Sequence, residues 1–528
     1  MNAADVIATR LHAAGVRHAF GLPGGEVLTL VDALERAGIR FRLAKHENAA
    51  GFMAEGTWHA TGAPAVLVAT VGPGLANAFN VVANAEQDRV PLIVISGMVD
   101  PAEALSYTHQ VFDHAAVFAR VCKASLRAEQ DAVDIMIDKA LAIAMEGRKG
   151  PVHIDLPVAL AAESQPEPRG VLRGPTLPTA PAEGPALARA REMFAAAERP
   201  FIVAVLEEPG GAAELRAFAE RHRIPVLTTY KAKGVIPEDH PLSLGGHGLS
   251  PKSDSYVIPA LGDADLVIAA GYDPIEMRPG WRDPWNPGTC IEFAHAANDH
   301  DMHHAALSWV CSVGGGLAAL DPAREPRAGW DANGLRAELL EAFAPGEDWG
   351  PDRAIAELLA ELPADAVTTA DSGAHRILLS QQFYAKRPRA LIQSTGLCTM
   401  GCALPLALGH RIADPERPAV AFMGDAGLEM VLGELATLRD ARVPLVLVVL
   451  VDRSLALIEL KQRRMGFQNA GVDFERTDFA GLARLYGGEG VTVRGPGEAG
   501  PALSEALRRD RFTLIEVEIP RRSYDGLF

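Results

Sequence analysis

Apolar residues in this chain fall into short, nearly unbroken runs, separated by stretches in which they recur every three or four positions. The runs Phe41–Ala44, Ala65–Thr70, Ile93–Gly97, Pro200–Val205, Ala264–Ala270, Ala419–Met423 and Leu445–Val451 read as buried strands. Between such runs lie helical patterns, among them Asp5–Gly15, Val27–Ala37, Arg353–Leu362, Leu455–Arg464 and the series Leu428, Val431, Leu432, Leu435 and Leu438. Strands alternating with helices predict parallel sheets joined by crossover helices, hence an α/β chain. Two segments rich in Pro, Glu, Ala and Gly, 161–184 and 323–352, lack periodicity and read as linkers. They divide the chain into three doubly wound units, expected at 1–165, 183–325 and 350–528, a number that suits 528 residues.

Charge and cysteine content restrict the partners. A formal net charge of −17 argues against nucleic acid or an anionic membrane as the main partner. No apolar run approaches the roughly 20 residues that cross a bilayer, and the N-terminus lacks the pattern of a signal peptide. Five scattered cysteines without a Cys-x-x-Cys pair fit a reduced, cytoplasmic protein.

The chemistry is concentrated between Pro418 and Gly466. A buried strand ends in the turn Gly424-Asp425-Ala426-Gly427, and the next strand ends at Asp452-Arg453-Ser454. In a parallel sheet both ends reach the same edge, where a Gly-rich turn entering a helix offers free N–H groups to a phosphate. Two carboxylates beside it invite Mg²⁺, a hard cation commonly shared with substrate phosphate. Taken singly, Asp425 could cap a helix and Asp452 end a strand.

The 27-residue spacing of these aspartates resembles the thiamine diphosphate motif that begins Gly-Asp-Gly and ends Asn-Asn. The resemblance implies Mg²⁺ held by Asp425, Asp452 and the carbonyl of Ser454, with Gly424, Ala426 and Gly427 against the diphosphate. Ala426 and Val451-Asp452 depart from the motif. The second carboxylate adds repulsion toward a diphosphate, which Arg453 could moderate.

The first unit resembles the pyrimidine-binding domain of the same enzymes. It reads His46-Glu47, a small-residue helix, then Gly72-Pro73-Gly74 before Asn77. In that family the matching Glu hydrogen-bonds the aminopyrimidine ring, so the resemblance makes Glu47 the group that promotes loss of the thiazolium C2 proton. Gly25, Gly74 and Asn77 fall on cofactor-facing positions. Gln110 matches an active-site Gln of acetolactate synthases, and His109 stands where related decarboxylases carry a histidine. Either could donate a hydrogen bond to a substrate oxygen, though His109 is equally a loop histidine.

In the third unit His375 matches a diphosphate contact. Ser394-Thr395-Gly396-Leu397-Cys398-Thr399-Met400 resembles the stretch whose bulky residue, here Met400, props the cofactor into a bent shape. The central unit resembles one that binds FAD in some members. Here the acidic segment Leu206–Gly210 disfavours a pyrophosphate. The cluster His295, His300, His303 and His304 fits no metal motif and reads as a surface loop.

Two positions bear on substrate. Acetolactate synthases carry a Trp where this chain has Lys461, and a cation there would favour a carboxylate-bearing substrate. Glu459, Lys461, Arg463 and Arg464 also read as a solvated helix face. Gly25 leaves out the polar side chain that simple decarboxylases place there, which favours carboligation. The implied protein is an acetolactate-synthase-like lyase or transferase acting on a 2-oxoacid as a homodimer or homotetramer. A plain 2-oxoacid decarboxylase for a substrate with a charged tail, or a non-catalytic paralogue, are the alternatives.

Overall fold

The computed structural model describes residues 1–170, 179–205, 211–321 and 330–528. Leu206–Gly210 and part of each expected linker fall outside the described residues. Three six-stranded sheets, every described pairing parallel, make up the fold. The first contains β1 (His18–Leu22), β2 (Arg40–Leu43), β3 (Ala65–Ala69), β4 (Leu92–Met98), β5 (Ala124–Arg127) and β6 (Val152–Pro157), in the order 2-1-3-4-6-5. The second contains β7 (Pro200–Ala204), β8 (Val226–Thr229), β9 (Ser243–His247), β10 (Leu266–Ala270), β11 (Cys290–Ala294) and β12 (Leu307–Val310), in the order 12-11-10-7-8-9. The third contains β13 (Val367–Ala370), β14 (Leu391–Gln393), β15 (Ala419–Gly424), β16 (Val446–Val451), β17 (Glu489–Val493) and β18 (Thr513–Glu518). Its order, 14-13-15-16-18-17, repeats that of the first sheet.

Central strands are apolar along their whole length because helices cover both faces of each sheet. The inner faces of the first and third sheets share one core, in which Phe52, Met53 and Trp58 join Leu404, Leu406 and Leu408. Two helices meet there, Glu47–Thr61 and Ala403–Ala413. A Cβ on Gly56 would stand 2.3 Å from the Leu406 carbonyl oxygen, and one on Gly409 only 1.8 Å from that of Met53. The small-residue pattern after Glu47 is therefore what lets two backbones touch.

Polar bonds lock the same junction. Asp88, at the end of the helix Phe79–Gln87, accepts the N–H groups of Thr395 and Gly396 at 3.1 Å each and also the Thr395 hydroxyl. Ser394 Oγ donates to Asn84 Oδ1 at 2.5 Å. Lys231 of the second unit donates to the Asp88 carbonyl at 2.5 Å. Nearby Glu276 accepts the Lys231 N–H at 3.2 Å through Oε1, while its buried Oε2 has no partner. Burial pushes the Glu276 carboxyl up to about 7.

One sequence expectation changes here. The helical series from Leu428 to Leu438 is two short helices, Asp425–Glu429 and Glu434–Ala441, with a turn between them. Gly401 presses against this turn: its Cβ would stand 3.0 Å from both the Gly427 carbonyl oxygen and Val431 Cγ1.

A methyl at Gly409 overlaps backbone rather than a movable side chain, so Gly409→Ala is expected to cost at least about 1–3 kcal/mol, read as a lower thermal midpoint. Folding holds Glu276 protonated at pH values where the unfolded chain ionises it. Its stabilising contribution is complete below about 4.5, the ordinary value for a Glu carboxyl, and is lost as pH rises through about 7. Glu276→Gln should therefore raise the thermal midpoint at pH 8, by a gain of up to about 3 kcal/mol, and change little at pH 4.5.

Candidate active site

At the C-terminal edge of the first sheet, β2 leads into the helix Glu47–Thr61, whose N-terminus is capped by the His46 ring. Glu47 is the first residue of that helix and is buried. Asn77 Nδ2 donates to Glu47 Oε2 at 3.1 Å. Oε1 lies beside Gly74, where a Cβ would stand 3.2 Å from it and 2.8 Å from Thr70 Cγ2. Gly72, with φ +68°, abuts Gln110: a Cβ there would meet the Gln110 carbonyl oxygen at 2.7 Å. Glu47, Gly74, Asn77 and Gln110 thus surround one turn. His109 is exposed, edge-on to Tyr107. Gly25 follows β1 and faces open space, with nothing within 4 Å of a Cβ.

The second group sits at the same edge of the third sheet. Asp425 begins the helix after β15, and Asp452 follows β16. Asp425 Oδ1 accepts Ala426 N–H at 2.8 Å, and Oδ2 accepts the N–H groups of Arg453 at 2.8 Å and Asp452 at 3.2 Å. Arg453 therefore moderates the charge through its backbone, held at φ +59°, while its side chain is exposed. Asp452 Oδ1 accepts Ser454 N–H at 3.2 Å. Its Oδ2 is buried and has no hydrogen-bond partner. Ser454 Oγ donates to Asp473 at 3.0 Å.

Burial pushes the Asp425 carboxyl up to about 6. Burial, then the charge of Asp425, pushes that of Asp452 up to about 7. Two buried carboxyls side by side, one oxygen free of hydrogen bonds, suit a hard divalent cation, which lets both ionise.

Asp371, in the turn between β13 and the helix that carries His375, ties this group together. Its Oδ1 pairs with His375 Nε2 at 2.8 Å and its Oδ2 accepts Gly401 N–H at 2.7 Å. A Cβ on Gly427 would collide with Oδ2 at 2.0 Å. The His375 ring lies against Gly424, 3.4 Å from where a Cβ would be. Met400, partly exposed, is thereby fixed beside the Gly424–Gly427 turn. Asn80 Nδ2 bridges Asn48 Oδ1 and Thr399 Oγ1 at 3.0 and 3.2 Å, and Lys45 N–H donates to Glu434 at 3.0 Å. These bonds join the segment around Glu47 to the third unit.

Other candidates lie apart or face inward. The Ser394 carbonyl accepts Arg376 at 2.5 Å and its hydroxyl also accepts Thr399 N–H. Cys398 Sγ takes a second N–H of Arg376 at 3.2 Å. Lys461 is exposed on the helix Ala456–Arg464, but Glu459 is not part of a solvated face. It is buried between Arg463 and Arg522, each Nε at 2.9 Å. His303 is likewise no surface residue: it is fully buried and pairs with Glu292 at 2.7 Å.

The alternating polar residues His153 and Asp155 of β6 went unremarked in the sequence. They lie on one buried face with Ser96, Ser125 and His114, linked by bonds of 2.7–2.8 Å.

Family models agree with this layout in each unit. Residues 1–117 match the thiamine pyrophosphate enzyme N-terminal TPP binding domain, 187–320 the central domain and 371–517 the C-terminal TPP binding domain. The chain is 31% identical to acetolactate synthase isozyme 1 large subunit of Escherichia coli over 98% of this chain and 93% of that one. It is 27% identical to an acetolactate synthase of Bacillus subtilis, with the same coverage. It is also 31% identical to the probable 2-ketoarginine decarboxylase AruI of Pseudomonas aeruginosa, over 90% of this chain and 86% of that one. A buried Glu beside a glycine turn, a paired-aspartate turn and these matches along nearly the whole length lead to one assignment: the chain belongs to the thiamine pyrophosphate enzyme family, among its acetolactate-synthase-like members.

Proposed function

We propose that this chain is a thiamine diphosphate- and Mg²⁺-dependent enzyme that decarboxylates a 2-oxoacid and joins the retained acyl unit to a second carbonyl compound. The observation that carries the metal part is the unpartnered, buried Asp452 Oδ2 next to Asp425. Asp425, Asp452 and Ser454 would hold the cation, with Gly424, Ala426, Gly427 and His375 at the diphosphate. Once bound, thiamine diphosphate supplies the electron sink that decarboxylation of a 2-oxoacid requires. Glu47 would bind the aminopyrimidine nitrogen. Asn77 occupies its Oε2, which leaves Oε1, on the Gly74 side, to share a proton there. Gln110 and His109 would position substrate oxygens.

Ligation is favoured at Gly25, where no side chain occupies the space above the turn. A second reading, decarboxylation with release of an aldehyde, is supported by the likeness to the probable 2-ketoarginine decarboxylase. Lys461, exposed beyond the metal turn, would favour a carboxylate-bearing substrate by its charge. FAD, where it is bound, would lie in the central unit, and the acidic sequence of 206–210 disfavours its pyrophosphate.

We also place the enzyme in the cytoplasm as a homodimer or homotetramer. Large apolar side chains stand exposed within a few residues of three candidate turns: Leu28 near Gly25, Phe79 near Asn77 and Met430 near Gly427. A second copy covering them would complete the site.

Calorimetric titration of metal-stripped protein with thiamine diphosphate is expected to give binding only with Mg²⁺. Asp425→Ala should abolish it, whereas Asp452→Asn, which keeps a ligand oxygen, should retain it. Binding equally strong without metal would refute the site. With pyruvate, the wild type should form acetolactate; acetaldehyde alone would select the second reading. Glu47→Gln should lower the rate about 10²–10⁴-fold while cofactor binding persists.

A further inference from the structure

Arg376, on the helix Ala374–Gln382, is only 4% exposed, and among the described residues no carboxylate pairs with it. A guanidinium stays charged, and burying a charge without a counter-charge is costly. Where its N–H groups go is therefore informative. Two of them reach a single short segment, the Ser394 carbonyl at 2.5 Å and Cys398 Sγ at 3.2 Å, and Nε is buried with no partner.

Cys398 has φ +53°, a left-handed conformation that residues with a Cβ rarely adopt. Its sulfur is held from both sides. It accepts the Arg376 N–H and donates to the Thr395 carbonyl at 3.3 Å. The guanidinium thus fixes the residue of this segment whose backbone is bent against preference.

The residues after the bend meet the turn assigned to the diphosphate. The Thr399 carbonyl accepts Ser372 N–H at 3.3 Å, and Gly401 N–H donates to Asp371 Oδ2 at 2.7 Å. That oxygen is the one a Cβ on Gly427 would strike, and Oδ1 of the same carboxylate holds His375. Gly401 also presses on the Gly427 carbonyl. Three residues lead from the sulfur to the Gly424–Gly427 turn. His375 and Arg376 are neighbours on one helix, so that helix grips the turn through one side chain and the adjoining bend through the next.

We propose that Arg376 and Cys398 are positioning residues: the guanidinium, through the Cys398 sulfur, holds 398–401 against Asp371 and so keeps the Gly424–Gly427 turn in the shape that takes a Mg²⁺–diphosphate group. The clamp rests on the thiamine diphosphate reading only for its ligand. Both side chains act through Asp371 and Gly427, not on the reacting atoms.

Amide hydrogen exchange on the chain without metal or cofactor reads the clamp. Cys398→Ala, which keeps a Cβ in the left-handed bend and removes the sulfur, should speed exchange in 398–401 about tenfold. Cys398→Ser, whose hydroxyl still accepts from the guanidinium and donates to Thr395, should stay within about threefold of wild type. Cys398→Gly separates sulfur from strain and should exchange at least as fast as Cys398→Ala. Calorimetry with Mg²⁺ and thiamine diphosphate reads the consequence: Cys398→Ala should weaken binding about tenfold, and Cys398→Ser should recover most of it. Arg376→Lys, which loses the second N–H, should repeat both effects and add little to Cys398→Ala. If that variant fails to fold, the Cys398 series decides alone. Wild-type exchange in Cys398→Ala or Cys398→Gly overturns the proposal, as does a Cys398→Ser variant no better than Cys398→Ala. A lowered thermal midpoint with unchanged exchange and affinity also overturns it. A wild type that binds no thiamine diphosphate with Mg²⁺ removes the functional reading, and the exchange rates still decide the clamp.

Discussion

The approach of two helix backbones at Gly56 and Gly409 governs the rest of the molecule. Side chains at either position would push the first and third sheets apart, and the edges of those sheets carry Glu47, Asp425 and Asp452. Because the helix that makes the contact begins with Glu47, its closeness sets where that carboxylate stands relative to Thr399 and Glu434. Asp88 then converts proximity into a fixed register by accepting three donors from Thr395 and Gly396. Packing sets the distance, and the buried carboxylate sets the angle.

The two sheets share a strand order, so their chemistry occupies matching places. The turn after β3 holds Gly72 to Gly74, and the turn after β15 holds Gly424 to Gly427. One turn leaves room beside a single carboxylate. The other presents a carboxylate and lies beside a second at the end of β16. The first arrangement suits exchange of a proton and the second suits a cation with its phosphates. A shared scaffold thus presents opposite electrostatic tasks from equivalent loops.

Much of this was legible in the chain. Strands buried on both faces leave continuous apolar runs such as Leu445–Val451, and their predicted ends lie within a residue or two of the observed ones. Asp425 and Asp452 were visible because a glycine turn and a fixed spacing accompany them. What escaped depends on partners far away in sequence. Glu459 resembles a solvated helical residue until Arg522, 63 positions on, turns out to pair with it. His303 is buried by its bond to Glu292, and Arg453 acts through a backbone N–H that no side-chain pattern reveals. The turn after Glu429 packs against Gly401, which no local pattern reveals, and the polar face under His114 depends on bonds spanning 28 to 59 residues.

The Asp88 junction also has a meaning for the order in which the protein is made. Its two halves are 307 residues apart, and the core they close is apolar on both sides. At about 5–20 residues per second, a ribosome needs roughly 15–60 s to deliver the second half after the first. Throughout that interval the Phe52, Met53 and Trp58 face has no Leu404 or Leu406 to cover it. The nascent first unit therefore presents that apolar face to water until the third unit arrives, the kind of transient exposure that favours association over folding.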